Sequence, residues 1–214
     1  PQEVAKLKEA RAIEKETGAQ RTEFLKKHDI QDRGQKIAVY MGGANEVYFD
    51  HAFPHFLDIL PPKGETDPLA QTTIVIQQHP RAVTEGNRDG KLLETWKAKL
   101  GAAAPEVVLS KVKFDEAVLV ADAAMYYQTT ANVKCFLGGI NTFQVDYDTQ
   151  KTGHVPFDDV LVRNHLCTKA VTQDQFLTAL DQKPAPIDEE RVYTELLGIN
   201  REWPQILNSL LAEQ

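Results

Sequence analysis

The chain has 214 residues, of which 42% are hydrophobic and 26% charged, with a net charge of -7 at pH 7. That composition supports one globular domain with a sizeable core and excludes a wholly disordered chain. It carries no Lys/Arg block, which excludes binding nucleic acid or an anionic membrane by bulk charge, and no stretch has the apolar length to span a bilayer.

The amino terminus is charged and helical in character rather than signal-like, so a soluble, reducing, cytoplasmic setting is expected. Cys135 and Cys167 are too few for a disulfide framework or a four-cysteine zinc site, and their apolar flanks mark them as core thiols. The chain opens at Pro1 without a methionine, which reads as a processed form or an excised piece of something longer.

In chain order, residues 3–28 are rich in Ala, Lys, Glu, Leu and Arg and predict a helix that breaks at Thr17-Gly18, with Phe24 and Leu25 on its contact face. After a polar turn at 31–34, residues 36–41 (KIAVYM) predict the first strand, and Gly42, Gly43, Ala44 and Asn45 the turn that leaves it. Helical spacing follows over 46–60, then a loop over 61–67. The β-branched run 72–77 (TTIVIQ) is the second strand, ending at Gln78-His79-Pro80-Arg81. Residues 84–89 read as loop and 90–100 as a helix with Leu92, Leu93, Trp96 and Leu100 inward.

The third strand is 107–109, a helix covers 114–121, and a fourth strand covers 123–127. Gln128, Thr129, Thr130 and Ala131 form a polar turn into a helix that stops at Gly138-Gly139. A fifth strand covers 141–145 and a polar segment runs to 157. A sixth strand is expected near 167–171, a short helix over 172–180 with Thr172 as its cap, and two last helices over 188–197 and 203–211.

Strands alternating with helices predict an α/β fold, a single Rossmann-like domain with a parallel sheet of about six strands covered on both faces. The expected organisation is a helical lead-in over 1–34, the nucleotide-binding domain over 35–182, and C-terminal helices over 183–214.

Three stretches fall at the carboxyl edge of such a sheet, where ligands bind. Gly42 and Gly43 let the backbone approach a ligand at a helix start, or serve a tight turn. Their spacing is neither G-x-G-x-x-G nor a P-loop, which argues against a dinucleotide-dependent dehydrogenase. His79, held extended by Pro80, offers a hydrogen bond to phosphate or ribose and Arg81 a bidentate fork, unless the histidine is only structural. Thr129 and Thr130 add hydroxyls to the unpaired N–H groups of a helix start, or act as an N-cap.

The acidic pairs Glu65 and Asp67, Asp158 and Asp159, and Glu189 and Glu190 read as solvated surface, whereas Asp146 and Asp148 follow the fifth strand on the candidate edge. No histidine spacing predicts a metal, no cofactor is expected, and no serine or cysteine nucleophile has a credible base.

The ordered pieces RTEFLKKHDI, KIAVYMGGANE, IVIQQHPR and DEAVLVADAAMYYQTTANVKCFLGGI resemble the carboxyl-terminal, donor-binding half of a GT-B glycosyltransferase. The resemblance covers roughly residues 21–182 and is nearest to the bacterial sialyltransferases and the CDP-glycerol polymer transferases. In those families a His-Pro at a strand end and a Ser/Thr pair at a helix start contact the donor, which implies these roles for His79 with Pro80 and for Thr129 with Thr130. The helix ends Gly138-Gly139-Ile140 where the family runs Gly, any residue, Pro, and the Glu-rich signature of retaining members is absent.

The resemblance implies a nucleotide-sugar-binding half, excised and inactive alone, that lacks an N-terminal domain or partner subunit. The alternative is a non-catalytic Rossmann-like module that binds a nucleotide or a protein.

Overall fold

The computed structural model describes residues 2–63, 68–84, 86–184, 186–188 and 192. The chain forms two compact units, Pro1–Pro184 and Ala185–Gln214. Of the second, only 186–188 and 192 are described, so the helices expected over 188–197 and 203–211 and the pair Glu189 and Glu190 lie essentially outside the described residues, as do Glu65 and Asp67.

In the first unit, α1 (Gln2–Thr17) and α2 (Ala19–Lys27) are separated at Gly18, whose φ of 62° favours glycine. Arg11 anchors α1 by donating from Nη1 to the carbonyl of Val118, 2.7 Å away. The lead-in helices therefore belong to the same body as the sheet.

The chain then runs through β1 (Lys36–Met41), a π-helical turn (Tyr48–Ala52), α3 (Phe53–Asp58), β2 (Thr72–Gln77), α4 (Pro80–Thr84), α5 (Arg88–Leu100) and β3 (Val107–Leu109). It continues through α6 (Phe114–Val120), β4 (Ala123–Tyr126), α7 (Ala131–Leu137), β5 (Asn141–Val145), α8 (Thr149–Thr152), α9 (Val160–Arg163), β6 (Lys169–Ala170) and α10 (Gln173–Asp181).

The six strands form one sheet in the order β3-β2-β1-β4-β5-β6, with every pairing parallel. This is the doubly wound Rossmann order, and its chain direction switches between β1 and β4. β1 is central and buried from its second residue onward, which explains its unbroken apolar run.

Alternate side chains serve the two faces. Ala38 and Tyr40 join Ile74, Ile76, Phe53, Phe56, Trp96 and Phe176 on one face. Ile37, Val39 and Met41 join Phe24, Leu25, Val118, Tyr126 and Cys135 on the other. Tyr40 stacks on Phe56 with ring centroids 3.9 Å apart.

Register fixes where the chain leaves the sheet. Met41 lies opposite both Gln77 and Tyr126, so the turns after β1, β2 and β4 emerge together at one edge. Several boundaries differ from those read in the sequence. The expected helix over 46–60 begins as a π turn, and the loop expected over 84–89 is entered by α4 and ends in the first turn of α5.

The polar segment after Asp146 contains α8 and is followed by α9, each opened by an aspartate cap: Asp148 accepts from the Gln150 N–H, and Asp159 from those of Leu161 and Val162. Asp159 is also buried and accepts from Asn132, so it is not the solvated surface expected of it. The sixth strand is only two residues long.

Candidate functional site

The glycine turn owes its sequence to Tyr48. A Cβ on Gly43 would lie 2.7 Å from Cγ of that ring, and one on Gly42 would lie 3.1 Å from its hydroxyl oxygen. Neither glycine has a positive φ, so close approach is the reason for both. The Gly42 N–H already donates to the Gln77 carbonyl at 2.9 Å. That N–H is therefore engaged within the protein.

Tyr48 is itself fixed. It is fully buried and donates to Asp89 Oδ1 at 2.7 Å, and its backbone N–H donates to Asn45 Oδ1 at 2.8 Å. Burial holds the Tyr48 phenol far above its ordinary range and raises the Asp89 carboxyl, against the opposing pull of hydrogen bonds from Tyr48 and Gln78.

His79 is the residue before Pro80, the first residue of α4. Its Nδ1 accepts from the Arg81 N–H at 3.2 Å and its carbonyl accepts from Ala82, which makes it the cap of that helix. With Nδ1 accepting, a neutral ring carries its proton on Nε2, leaving one donor to offer a ligand. The structural and the binding readings of His79 thus use different nitrogens.

At the start of α7, Thr129 Oγ1 accepts from the Ala131 N–H at 3.2 Å, while the exposed Thr130 makes no cap bond. The short-range cap expected of the pair is therefore made by Thr129.

His79 stands between two cavities. The larger, about 660 Å³, is lined by Met41, Gly42, Gln78, His79, Val112, Phe114 and Thr129 among others. Lys27, Lys111 and Lys113 add positive charge to its wall; Lys27 bonds to Glu116 at 3.1 Å and Lys111 to Asp29 at 2.6 Å. The smaller, about 210 Å³, is lined by Gly43, Ala44, Asn45, Tyr48, His79, Arg81, Tyr127 and Gln128.

The structure thus brings Gly42, Gly43, His79, Arg81 and Thr129 to adjoining cavities at one edge, although 36 or more positions in sequence separate the three turns. Thr130 lies beside Thr129 but lines neither cavity. Asp146 and Asp148 are not part of this group, because Lys169 lies 2.6 Å from Asp146 and Asp148 caps α8.

Sequence reasoning missed Tyr48 and Asp89, and placed Asn45 and Gln128 in the turns without a role of their own. Tyr48 and Asp89 meet across 41 residues and Asn45 and Gln128 across 83, and no local pattern encodes such pairs. Among the described residues no group of three or more His, Cys, Asp or Glu side chains is placed to hold a metal ion, and no helix is long and apolar enough to cross a membrane.

No protein-family model and no curated protein matches the chain. Solved structures do. The chain is similar to an alpha,alpha-trehalose 6-phosphate synthase from Burkholderia multivorans, with a TM-score of 0.54 at 9% identity, covering 88% of this chain and 42% of that one. The UDP-forming alpha,alpha-trehalose-phosphate synthase from Burkholderia vietnamiensis gives a TM-score of 0.53 at 11% identity over 90% of this chain and 44% of its own. The N-terminal domain of the Candida albicans trehalose-6-phosphate phosphatase gives 0.52 at 11% identity over 92% and 45%.

The synthases are GT-B glycosyltransferases, and at these identities the likeness is one of fold. The chain spans less than half the length of each of these structures.

Proposed function

We propose that this chain is the nucleotide-sugar-binding half of a GT-B glycosyltransferase, inactive alone, and that a nucleotide sits at His79. The observation that supports it most is the convergence of the Gly42-Gly43 turn, His79 and Thr129 around one 660 Å³ cavity at the switch between β1 and β4. The lining of that cavity suits the two ends of a nucleotide. Val112, Phe114, Pro80 and Met41 offer apolar surface to a base. Lys113, the Thr129 hydroxyl and the protonated Nε2 of His79 offer donors to phosphate oxygens.

In this reading Arg81, on the wall of the smaller cavity, reaches the phosphate or ribose from the other side, and Thr130 adds a hydroxyl from the start of α7. The catalytic base and the acceptor site would come from an N-terminal domain or a separate subunit. The nearer kinship proposed is with the sialyltransferases and CDP-glycerol polymer transferases, which rests on IVIQQHPR and the QTTANV turn. A cytoplasmic setting belongs to the same reading.

A non-catalytic module is the competing reading, and one observation favours it: Tyr48 and the Gln77 backbone account for Gly42 and Gly43 without any ligand.

Titrating the isotopically labelled chain with CMP, CDP, UDP and GDP, while following backbone amide signals, tests the proposal. It expects one nucleotide to move Gly42, Val112 and Thr129 together. Shifts confined to another face, or none with any of the four, would overturn it.

A further inference from the structure

Four consecutive residues, the N-cap Asn87 and the first three of α5, lie beside the elements that carry the candidate site. Asn87, with a φ of 53°, turns its side chain so that Oδ1 accepts from Gln78 Nε2 at 2.6 Å. Arg88 donates from Nη1 to both carboxylate oxygens of Glu46 at 2.8 Å and from Nη2 to Asp50 at 3.2 Å. Its guanidinium also lies 4.2 Å from the centre of the Phe49 ring.

Asp89 has no exposed surface, and its two oxygens take different partners, Tyr48 at 2.7 Å and Gln78 at 3.4 Å. Gly90 is glycine because a Cβ there would lie 2.5 Å from the Asn87 amide. A buried carboxylate is costly unless each oxygen is satisfied, and the side chains that satisfy this one belong to the residue that covers the glycine turn and the residue that precedes His79.

We propose that Asn87-Arg88-Asp89-Gly90 is a clamp that sets the distance and orientation between the glycine turn and the His79 turn, with Asp89 as its positioning residue. Arg88 holds the π turn that carries Tyr48, Asp89 ties Tyr48 to Gln78, and Asn87 accepts from the same Gln78 Nε2. Gln78 in turn fixes the ψ angle from which His79 and Pro80 start α4, and so the aim of the imidazole between the two cavities. The consequence for ligand affinity rests on the nucleotide reading above; the consequence for His79 does not.

The imidazole signals of His79 report the clamp directly. Two-bond proton-nitrogen correlations should show the Nε2-protonated tautomer in the parent chain. Asp89→Asn places an amide donor against the Gln78 donor, and the His79 signal should shift toward a mixture of tautomers. Gly90→Ala should shift it in the same direction while the chain stays folded, because only the flexible end of Asn87 has to move. In the double variant Gln78→Glu with Asp89→Asn, donor and acceptor exchange places at that contact, the Asn87 amide turns to donate where it accepted, and the parent signal should return.

Affinity for CDP or UDP, whichever the parent binds, should fall at least about fivefold in Asp89→Asn and recover in the double variant. An Asp89→Asn chain that is less stable yet keeps the parent His79 signal would overturn the clamp and leave Asp89 a purely structural group. Failure of the parent to bind either nucleotide would sink the nucleotide reading, while the tautomer measurement would still decide the clamp.

Discussion

Gly43 and His28 show what single residues contribute here, one by being small and the other by being buried. The Tyr48 ring that a Gly43 side chain would strike is fully buried and hydrogen-bonded, so it has nowhere to go. Gly43→Ala should therefore destabilise the chain by about 1–3 kcal/mol, the usual cost of overpacking, as read from the urea midpoint. His28 joins α2 to the loop after β3: its Nδ1 lies 2.7 Å from the Phe24 carbonyl and its Nε2 accepts from the Lys111 N–H at 2.9 Å. That pattern requires a neutral ring, and burial is the main cause that holds its pKa below the ordinary value. The unfolded chain then binds the extra proton, so this stabilisation is present above about pH 6.5 and is lost as pH falls toward the lowered folded value. Urea unfolding of the parent and of His28→Gln from pH 8 to pH 5 should show the parent's advantage shrinking as the pH falls, by at most about 1.4 kcal/mol per unit. A constant advantage would count against this account of His28.

At the scale of elements, the strands were the most legible part of the sequence. Four of them, β1, β2, β3 and β5, stand where their apolar runs put them, because strands buried on both faces need an unbroken run. The cap of α10 was legible too: Thr172 accepts from Gln175, whose side chain reaches back to the Thr172 backbone in a reciprocal capping box. Thr172→Ala should cost about 0.5–2 kcal/mol, and an unchanged urea midpoint would show that the box contributes nothing. The π turn was not legible, since it is held by Arg88 and Asp89, which lie about ten turns of helix away in sequence and come near only in the fold. The helices α8 and α9 escaped notice for another reason: at four residues each they have no periodicity to detect, and only the aspartates at their caps announce them.

For the molecule as a whole, parallel topology turns distant stretches into neighbours. Once alternating strands and helices imply the doubly wound order, the turns after β1, β2 and β4 must share an edge, and the register of Met41 with Gln77 and Tyr126 brings them level. The meeting of Gly42, His79 and Thr129 was therefore foreseeable from sequence. The division of that edge into two cavities was not, because it depends on how the side chains of Tyr48, Tyr127 and Gln128 fill the space. The central claim is that a nucleotide occupies this edge through His79. Calorimetric titration of the 214-residue chain and of its His79→Ala variant with UDP and CDP tests it most directly. The account predicts saturable one-site binding of one of the two by the parent, and affinity lower by about tenfold or more in the folded variant, as expected for loss of a hydrogen bond to a charged group. Equal affinity in parent and variant would contradict it, as would no binding of either nucleotide.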